Sequence, residues 1–399
     1  MERKESIWSR DFILLLVVNI VQAVGFQVLG PNLPVYALRF TESKILIGVL
    51  AGTHACAALA FRPLSALIAD RADRKKIIFI GQLVISVVYL LMYKVPNIQL
   101  LILMRFLHGI MFSFVSTTII TAGTSNLPPS RLGYGIGIMS ITNIAGQAFA
   151  PALGILIVER GGYFLFFMVV AICSLSSAII SLNLKNIQPH LSMNTEEKVR
   201  KKIVLKDVFA VEAIDLMFLA MFFTASMSIV INFLVLYGNS LGIGNMGFFY
   251  TIFAGIMILV RMLFGNLADR KSYAFITCFC APFCVVSLIM IGAATSFAFF
   301  AVAAVCLGIG YGFAQPTIQA AMVRRVEVER HGVAIATSFI GMDTAHTLAP
   351  VVLGVIAEHY SFSVGYYAFC FMFAVAVPLA IFGKRYENWR GLHREKKCK

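Results

Sequence analysis

From Phe12 onward the chain alternates long apolar stretches with short polar breaks. The apolar stretches cover about 12–37, 45–69, 77–94, 98–121, 132–158, 162–184, 210–238, 245–268, 273–294, 297–322, 333–357 and 363–383. A helix needs about 20 apolar residues to cross the roughly 30 Å hydrocarbon layer, and these stretches match that length. Strands of a membrane barrel would instead alternate apolar and polar at every second residue. The pattern therefore predicts an all-α membrane protein with about twelve transmembrane helices. The first stretch is too long for the apolar core of a signal peptide, and no small-residue cleavage site follows it, so it reads as a retained helix. The longest polar stretch is Lys185 to Asp207, with Pro189 and the run Glu196-Glu197-Lys198-Val199-Arg200-Lys201-Lys202. It divides the chain into a six-helix bundle at 1–184, a cytoplasmic linker at 185–209, and a six-helix bundle with a short cytoplasmic tail at 210–399.

Composition narrows the class. Hydrophobic residues make up 59% of the 399 residues and charged residues 13%, with a mean hydropathy of +0.86. A soluble enzyme, a disordered chain and a fibre are excluded by these values. The net charge of +14 would suggest nucleic acid in a soluble protein. Here too few polar residues remain to build a basic face, and no nucleic-acid partner is expected. Sorted by predicted side, 26 of the 33 Lys and Arg fall with the N-terminus and 4 on the opposite side. That asymmetry places both termini in the cytoplasm by the positive-inside rule. Most of the eight cysteines sit inside apolar stretches and read as packing residues. Cys278, Cys280 and Cys284 have no nearby His or acid to complete a ligand set, so no metal or other cofactor is expected.

The two halves repeat at an offset of 199 residues. Phe61-Arg62-Pro63-Leu64 with Ala69-Asp70-Arg71 matches Val260-Arg261-Met262-Leu263 with Ala268-Asp269-Arg270. At the same offset Gly48 meets Gly247, Gly109 meets Gly308, Arg131 meets Arg330, and Ala150-Pro151 meets Ala349-Pro350. Parallel six-helix repeats are how many transporters build a substrate site between halves that rock against each other.

The residues around these positions resemble the major facilitator superfamily along nearly the whole chain. Ala66-Leu67-Ile68-Ala69-Asp70-Arg71-Ala72-Asp73-Arg74-Lys75 is similar to that family's G-x-L-A-D-R-x-G-R-K loop, with Ala66 and Asp73 in place of its glycines. The resemblance implies a gating loop of Asp70, Arg71, Arg74 and Lys75, with Asp269 and Arg270 in the second copy. Arg105-Phe106-Leu107-His108-Gly109 resembles the R-x-x-x-G signature of proton-coupled members. Gly137, Gly146, Pro151 and Gly154 resemble the small-residue pattern of facilitator antiporters, with Ala150 and Ile155 replacing two glycines. That pattern implies close helix packing and export.

Chemistry in the spans concentrates on few residues. Asp343 is the one acid placed deep in a predicted span, with His346 one turn away on the same face. An intramembrane carboxylate is functional by default. Asp343 either carries the coupling proton or pairs with Arg62. By helical rise the two lie at similar depth, about 15 Å and about 12 Å from their cytoplasmic ends, which favours the pair. Arg105 is expected to be buried and to serve proton coupling. In the family the central cavity is lined by spans one, four, seven and ten. Its polar candidates here are Asn19, Gln22, His108, Thr224, Ser228, Asn232, Gln315 and Gln319. His54 reads either as a second titratable site or as a packing residue.

The resulting expectation is a monomeric, multi-pass carrier in the cell (inner or plasma) membrane. It would export a small organic molecule by alternating access, in exchange for protons. No ATP-binding loop of the G-x-x-x-x-G-K-[ST] type is found, so an ATP-driven pump is not expected. An uptake symporter for an organic anion or sugar is one alternative, with Arg105 anchoring the anion. A non-transporting membrane sensor or scaffold is another. The chain is not expected to be an enzyme.

Overall fold

The computed structural model describes residues 8–125, 127, 132–185, 187, 209–327 and 330–397, without the side chains at 132–134, 136–137, 140–141, 143–145, 148, 264–270 and 386–397. Among the described residues the chain forms eleven α-helices and no strand. In order these are α1 (Arg10–Ala37), α2 (Lys44–Arg71), α3 (Arg74–Lys94), α4 (Ile98–Ser125) and α5 (Leu132–Ser181). They continue as α6 (Ile214–Ser240), α7 (Gly247–Arg270), α8 (Tyr273–Gly292), α9 (Phe297–Arg324), α10 (His331–His359) and α11 (Phe362–Lys397). Ten of the described helices are long and apolar enough to cross a bilayer, and the apolar part of α7, Gly247–Leu263, is shorter. Phe371 and Met262 are 76% and 78% exposed, as lipid-facing side chains of a membrane protein are.

The fifth and sixth expected spans are joined in α5, which runs 50 residues. The break lies at Gly162, with φ 68° and ψ −175°. That conformation is open essentially to glycine alone. Packing shows that the two legs run in opposite directions. Along the first leg, Met139, Gly146 and Gly154 meet Asn19, Ala23 and Val28 in turn, so this leg runs parallel to α1. Along the second, Phe164, Ala171 and Ser174 meet Tyr93, Ser86 and Gln82, so it runs antiparallel to α3. Tyr89 and Tyr36 reach Gly25 and Tyr93, which sets α1 and α3 parallel. Gly162 is therefore the turn of a helical hairpin, and its two legs are the fifth and sixth expected spans.

The small residues of the first leg have a packing job. A Cβ on Gly146 would lie 2.8 Å from the Ala23 Cβ, and one on Gly154 would lie 2.9 Å from Val28 Cγ1. Only glycine allows α1 to come this close.

The chain divides into two compact units, one of residues 1–42 and 49–201 and the other of 43–48 and 202–399. Most of the expected linker lies outside the described residues. In the second unit α6 is buried on nearly every side. Its Tyr237 donates to the Gly292 carbonyl at 3.3 Å and meets Ser363 at 2.9 Å. At the start of α6, Arg325 reaches Asp215 and donates to Tyr273 at 2.6 Å, while Arg330 bonds Glu212 at 2.8 Å. Glu212 and Asp215 are thus held by basic residues that follow α9.

Candidate functional site

Arg105 and His108 are three residues apart on α4, so they share a helix face. Both are buried, at 3% and 1% exposure. Arg105 Nη1 lies 3.0 Å from His108 Nδ1, and His108 Nε2 lies 3.0 Å from the Tyr89 hydroxyl. The Tyr89 hydroxyl also points to the Gly25 carbonyl at 3.4 Å. A guanidinium has donors only, so Nδ1 must accept. The imidazole is then neutral and carries its proton on Nε2, which donates to Tyr89 while Tyr89 donates to Gly25. Four groups on three helices form one chain with a single consistent direction.

An aromatic wall closes this chain. His54 on α2 stacks on Phe26 at 4.6 Å, and its ring centre is 4.6 Å from that of His108. The Arg105 guanidinium carbon sits 5.7 Å over Phe26, within range of a cation–π contact. Arg105 Nε has no hydrogen-bond partner. Beside His108 lies a small cavity lined by Gln22, Gln82, Tyr89, Phe112 and Ser174 among others. Both polar atoms of the Gln22 amide and the Nε2 of Gln82 lack a partner.

The second unit builds the same helix crossings without this polarity. A Cβ on Gly109 would run into the His54 carbonyl oxygen, and one on Gly308 would lie 3.1 Å from the Phe253 carbonyl oxygen. Gly81 faces α4 at Val115 and Met111, while Cys280 faces Gly310. These contacts keep the 199-residue offset, so the helices correspond in three dimensions. At the matching positions His54 becomes Phe253, Gln82 becomes Ala281 and Tyr89 becomes Leu288. Arg105 becomes Ala304, and His108 becomes Leu307. All five counterparts are fully or almost fully buried. The fold is thus satisfied by an apolar core, and the polar core of the first unit answers another demand.

The other expected residues separate into several groups. Asn19 donates to the Met139 carbonyl at 3.2 Å, which uses it in packing α5. Asn232 donates to the Ser228 carbonyl at 2.8 Å on its own helix. Thr224, Ser228 and Gln315 are buried, and their side-chain polar atoms include unpartnered ones. Gln319 is half-buried. Asp343 and His346 lie one turn apart on α10, both half-buried, and Arg62 is half-buried on α2. At the expected gating loop, Arg74 is buried and donates to the Ala69 carbonyl at 2.9 Å and to Ser125 at 2.6 Å, while Asp70 stands 4.0 Å away. Asp73 caps α3 by accepting from the Lys75 backbone at 3.0 Å. This is the reason an acid serves where the family pattern has glycine. Arg71 is exposed. The side chains of Asp269 and Arg270 lie outside the described ones, as does that of position 137, so those expectations are not placed. Pro151 is buried within α5.

Tyr89, Gln82 and Phe26 were not among the expected site residues. Comparing the repeats position by position would have flagged the first two, since each polar side chain faces an apolar counterpart.

Two units of apolar helices, one of them with an ionisable core, define a multi-pass membrane transporter. The sequence profile of the Major Facilitator Superfamily matches residues 15–342 and 283–397, and the chain belongs to that family. It is 25% identical over 318 residues to the uncharacterized MFS-type transporter YuxJ of Bacillus subtilis, covering 76% of this chain and 79% of that protein. It is 24% identical over 290 residues to the multi-drug resistance efflux pump PmrA of Streptococcus pneumoniae, covering 66% of this chain and 68% of the pump. Among solved structures, a bacterial homologue of the human lysosomal transporter Spinster superposes with a TM-score of 0.77 at 14% identity, over 96% and 98% of the two chains. That likeness is one of fold. The protein is a transporter and not an enzyme.

Proposed function

We propose that this protein exports a small organic molecule in exchange for protons, by alternating access, as a monomer in the cell membrane with both termini in the cytoplasm. The observation that carries the proton reading is the buried Arg105–His108–Tyr89 chain, because ionisable groups at membrane depth are costly and mark coupling pathways. The outward direction is supported by the description of PmrA as an efflux pump and by the packing of Gly146 and Gly154 in the antiporter-like pattern. In this reading Thr224, Ser228, Gln315 and Gln319 offer polar contacts to the cargo. Asp343 and His346 supply the titratable groups of the second unit, and a pair of Arg62 with Asp343 remains part of the proposal. The loop from Asp70 to Lys75 acts in gating.

Inverted membrane vesicles loaded with a pH-sensitive dye test the reading. Adding a transported compound should release protons from the lumen, and Asp343→Asn should weaken or abolish the release. Proton flux in the opposite sense would show symport and overturn the export reading. For the Arg62–Asp343 pair, the charge-swapped double variant should regain transport lost in each single variant.

A further inference from the structure

The direction of the hydrogen bonds in the first unit makes a specific statement about where a proton can bind. His108 Nδ1 accepts from Arg105 Nη1 at 3.0 Å, and no other arrangement of protons satisfies a donor-only guanidinium. Nε2 already carries the ring proton toward Tyr89. One lone pair is therefore left on this imidazole, and Arg105 covers it. Adding a proton there would set two N–H donors and two cations against each other about 3 Å apart, so one of them must move away.

Among the described residues, the surroundings supply no carboxylate to compensate. From α1 the groups facing His108 are Gln22, Gly25 and Phe26, and from α2 the imidazole of His54. From α3 come Gln82 and the Tyr89 hydroxyl, and from α4 Arg105 and Phe112. The second leg of α5 contributes Ser174, and the Cys173 thiol stands near Tyr89. The cavity against His108 has room for about one water molecule. The unpartnered Gln22 amide and Gln82 Nε2 are the polar partners such a water needs.

We propose that His108, with a water held by Gln22 and Gln82, is a proton-binding site whose occupancy releases Arg105. The proton adds to the Nδ1 lone pair, the Arg105 Nη1–H···Nδ1 hydrogen bond breaks, and no covalent bond between heavy atoms changes. Neutral His108 holds the guanidinium, and protonated His108 frees it. The freed cation then has its donors available to a carbonyl or anionic group of the cargo. This inference rests on the proton-exchange reading above and names where the proton sits in the first unit.

The test reads the imidazole directly and needs no substrate. The full chain, labelled with ¹⁵N-histidine and held in lipid nanodiscs, is followed by NMR from about pH 8 to about pH 5, the window in which histidines change charge. The His108→Gln variant identifies its signals among the seven histidines. The expected spectrum at high pH is a single Nε2–H tautomer with a hydrogen-bonded, unprotonated Nδ1. Acidification should protonate Nδ1 and remove the coupling between His108 and the Arg105 side chain. Arg105→Met should abolish the single-tautomer preference at high pH. An Nδ1–H tautomer in the native chain overturns the proposal, and so does an unchanged His108 spectrum across the whole window. If His108 behaves as expected but vesicles show no proton flux, the export reading fails and the proton site stands. If vesicles show antiport and His108 never protonates, the site fails alone.

Discussion

The α2–α3–α4 core of the first unit and the α7–α8–α9 core of the second are two solutions to one packing problem. Both bring a glycine of the later helix against a backbone carbonyl of the first, at Gly109 with His54 and at Gly308 with Phe253. Both cap the middle helix with a polar residue at the same offset. Asp73 accepts from Lys75 at 3.0 Å, and Ser272 accepts from Phe275 at 3.2 Å. Inside, they part. One core holds Arg105, His108, Tyr89 and His54, and the other holds Ala304, Leu307, Leu288 and Phe253. An unpartnered buried polar group costs about 1–3 kcal/mol; the first unit leaves Arg105 Nε, the Gln22 amide and Gln82 Nε2 in that state, and the second leaves Thr277 Oγ1 and the Gln315 amide. The comparison teaches that both units share the helix crossings and tolerate unpartnered polar atoms, and that the ionisable chain of the first core is the difference where transport chemistry should be sought.

Substitutions that move one core toward the other sharpen this contrast. The largest effect is expected from Arg105→Ala with His108→Leu, which copies the second unit's residues. Transport should fall at least about 100-fold, the loss of some 2.7 kcal/mol of useful interaction. The thermal midpoint in detergent should fall only by the cost of the cavity that Arg105→Ala opens, because removing both partners leaves neither member of the pair unsatisfied. The converse change, Leu307→His, places an imidazole where the surrounding core is apolar. It should destabilise the protein by about 2–4 kcal/mol and lower its abundance in the membrane.

A smaller and more graded difference is expected at the crossings. In Gly109→Ala the new methyl meets the His54 backbone, which cannot rotate away, whereas in Gly308→Ala it first meets Ile256 Cγ2 at 2.8 Å, a side chain that can yield. Thermal unfolding should show Gly109→Ala to be the more damaging, by about 1 kcal/mol or more. Equal losses would mean that the two crossings are equally tight. The smallest effect belongs to the shared caps. Asp73→Ala and Ser272→Ala should each cost about 1 kcal/mol, and by similar amounts in the two units.

Much of this was legible in the sequence. The spans follow from apolar length alone, and the Arg105–His108 contact follows from helical spacing of three residues. Asp73 before Arg74-Lys75-Lys76 carries the ordinary signal of a helix start, although the family pattern drew attention to it as a missing glycine. The break between the fifth and sixth spans was legible as well, since Glu159-Arg160-Gly161-Gly162 reads as a loop and Gly162 there takes a non-helical conformation closed to other residues. Tyr89 and His54 were invisible as partners of His108, since their meeting depends on how three helices pack. The hold of Arg325 on Asp215 joins residues 110 apart, and no local pattern announces it.

The most direct test grafts the second unit's core into the first, with His54→Phe, Tyr89→Leu, Arg105→Ala and His108→Leu in one chain. Its thermal midpoint and its proton-coupled flux in inverted vesicles are measured side by side with the native protein. The account predicts a chain that inserts and unfolds cooperatively, with a midpoint lowered by no more than the cavity at Arg105→Ala costs, while coupled flux is lost. A chain that fails to fold, or one that still moves protons with its cargo, would contradict it.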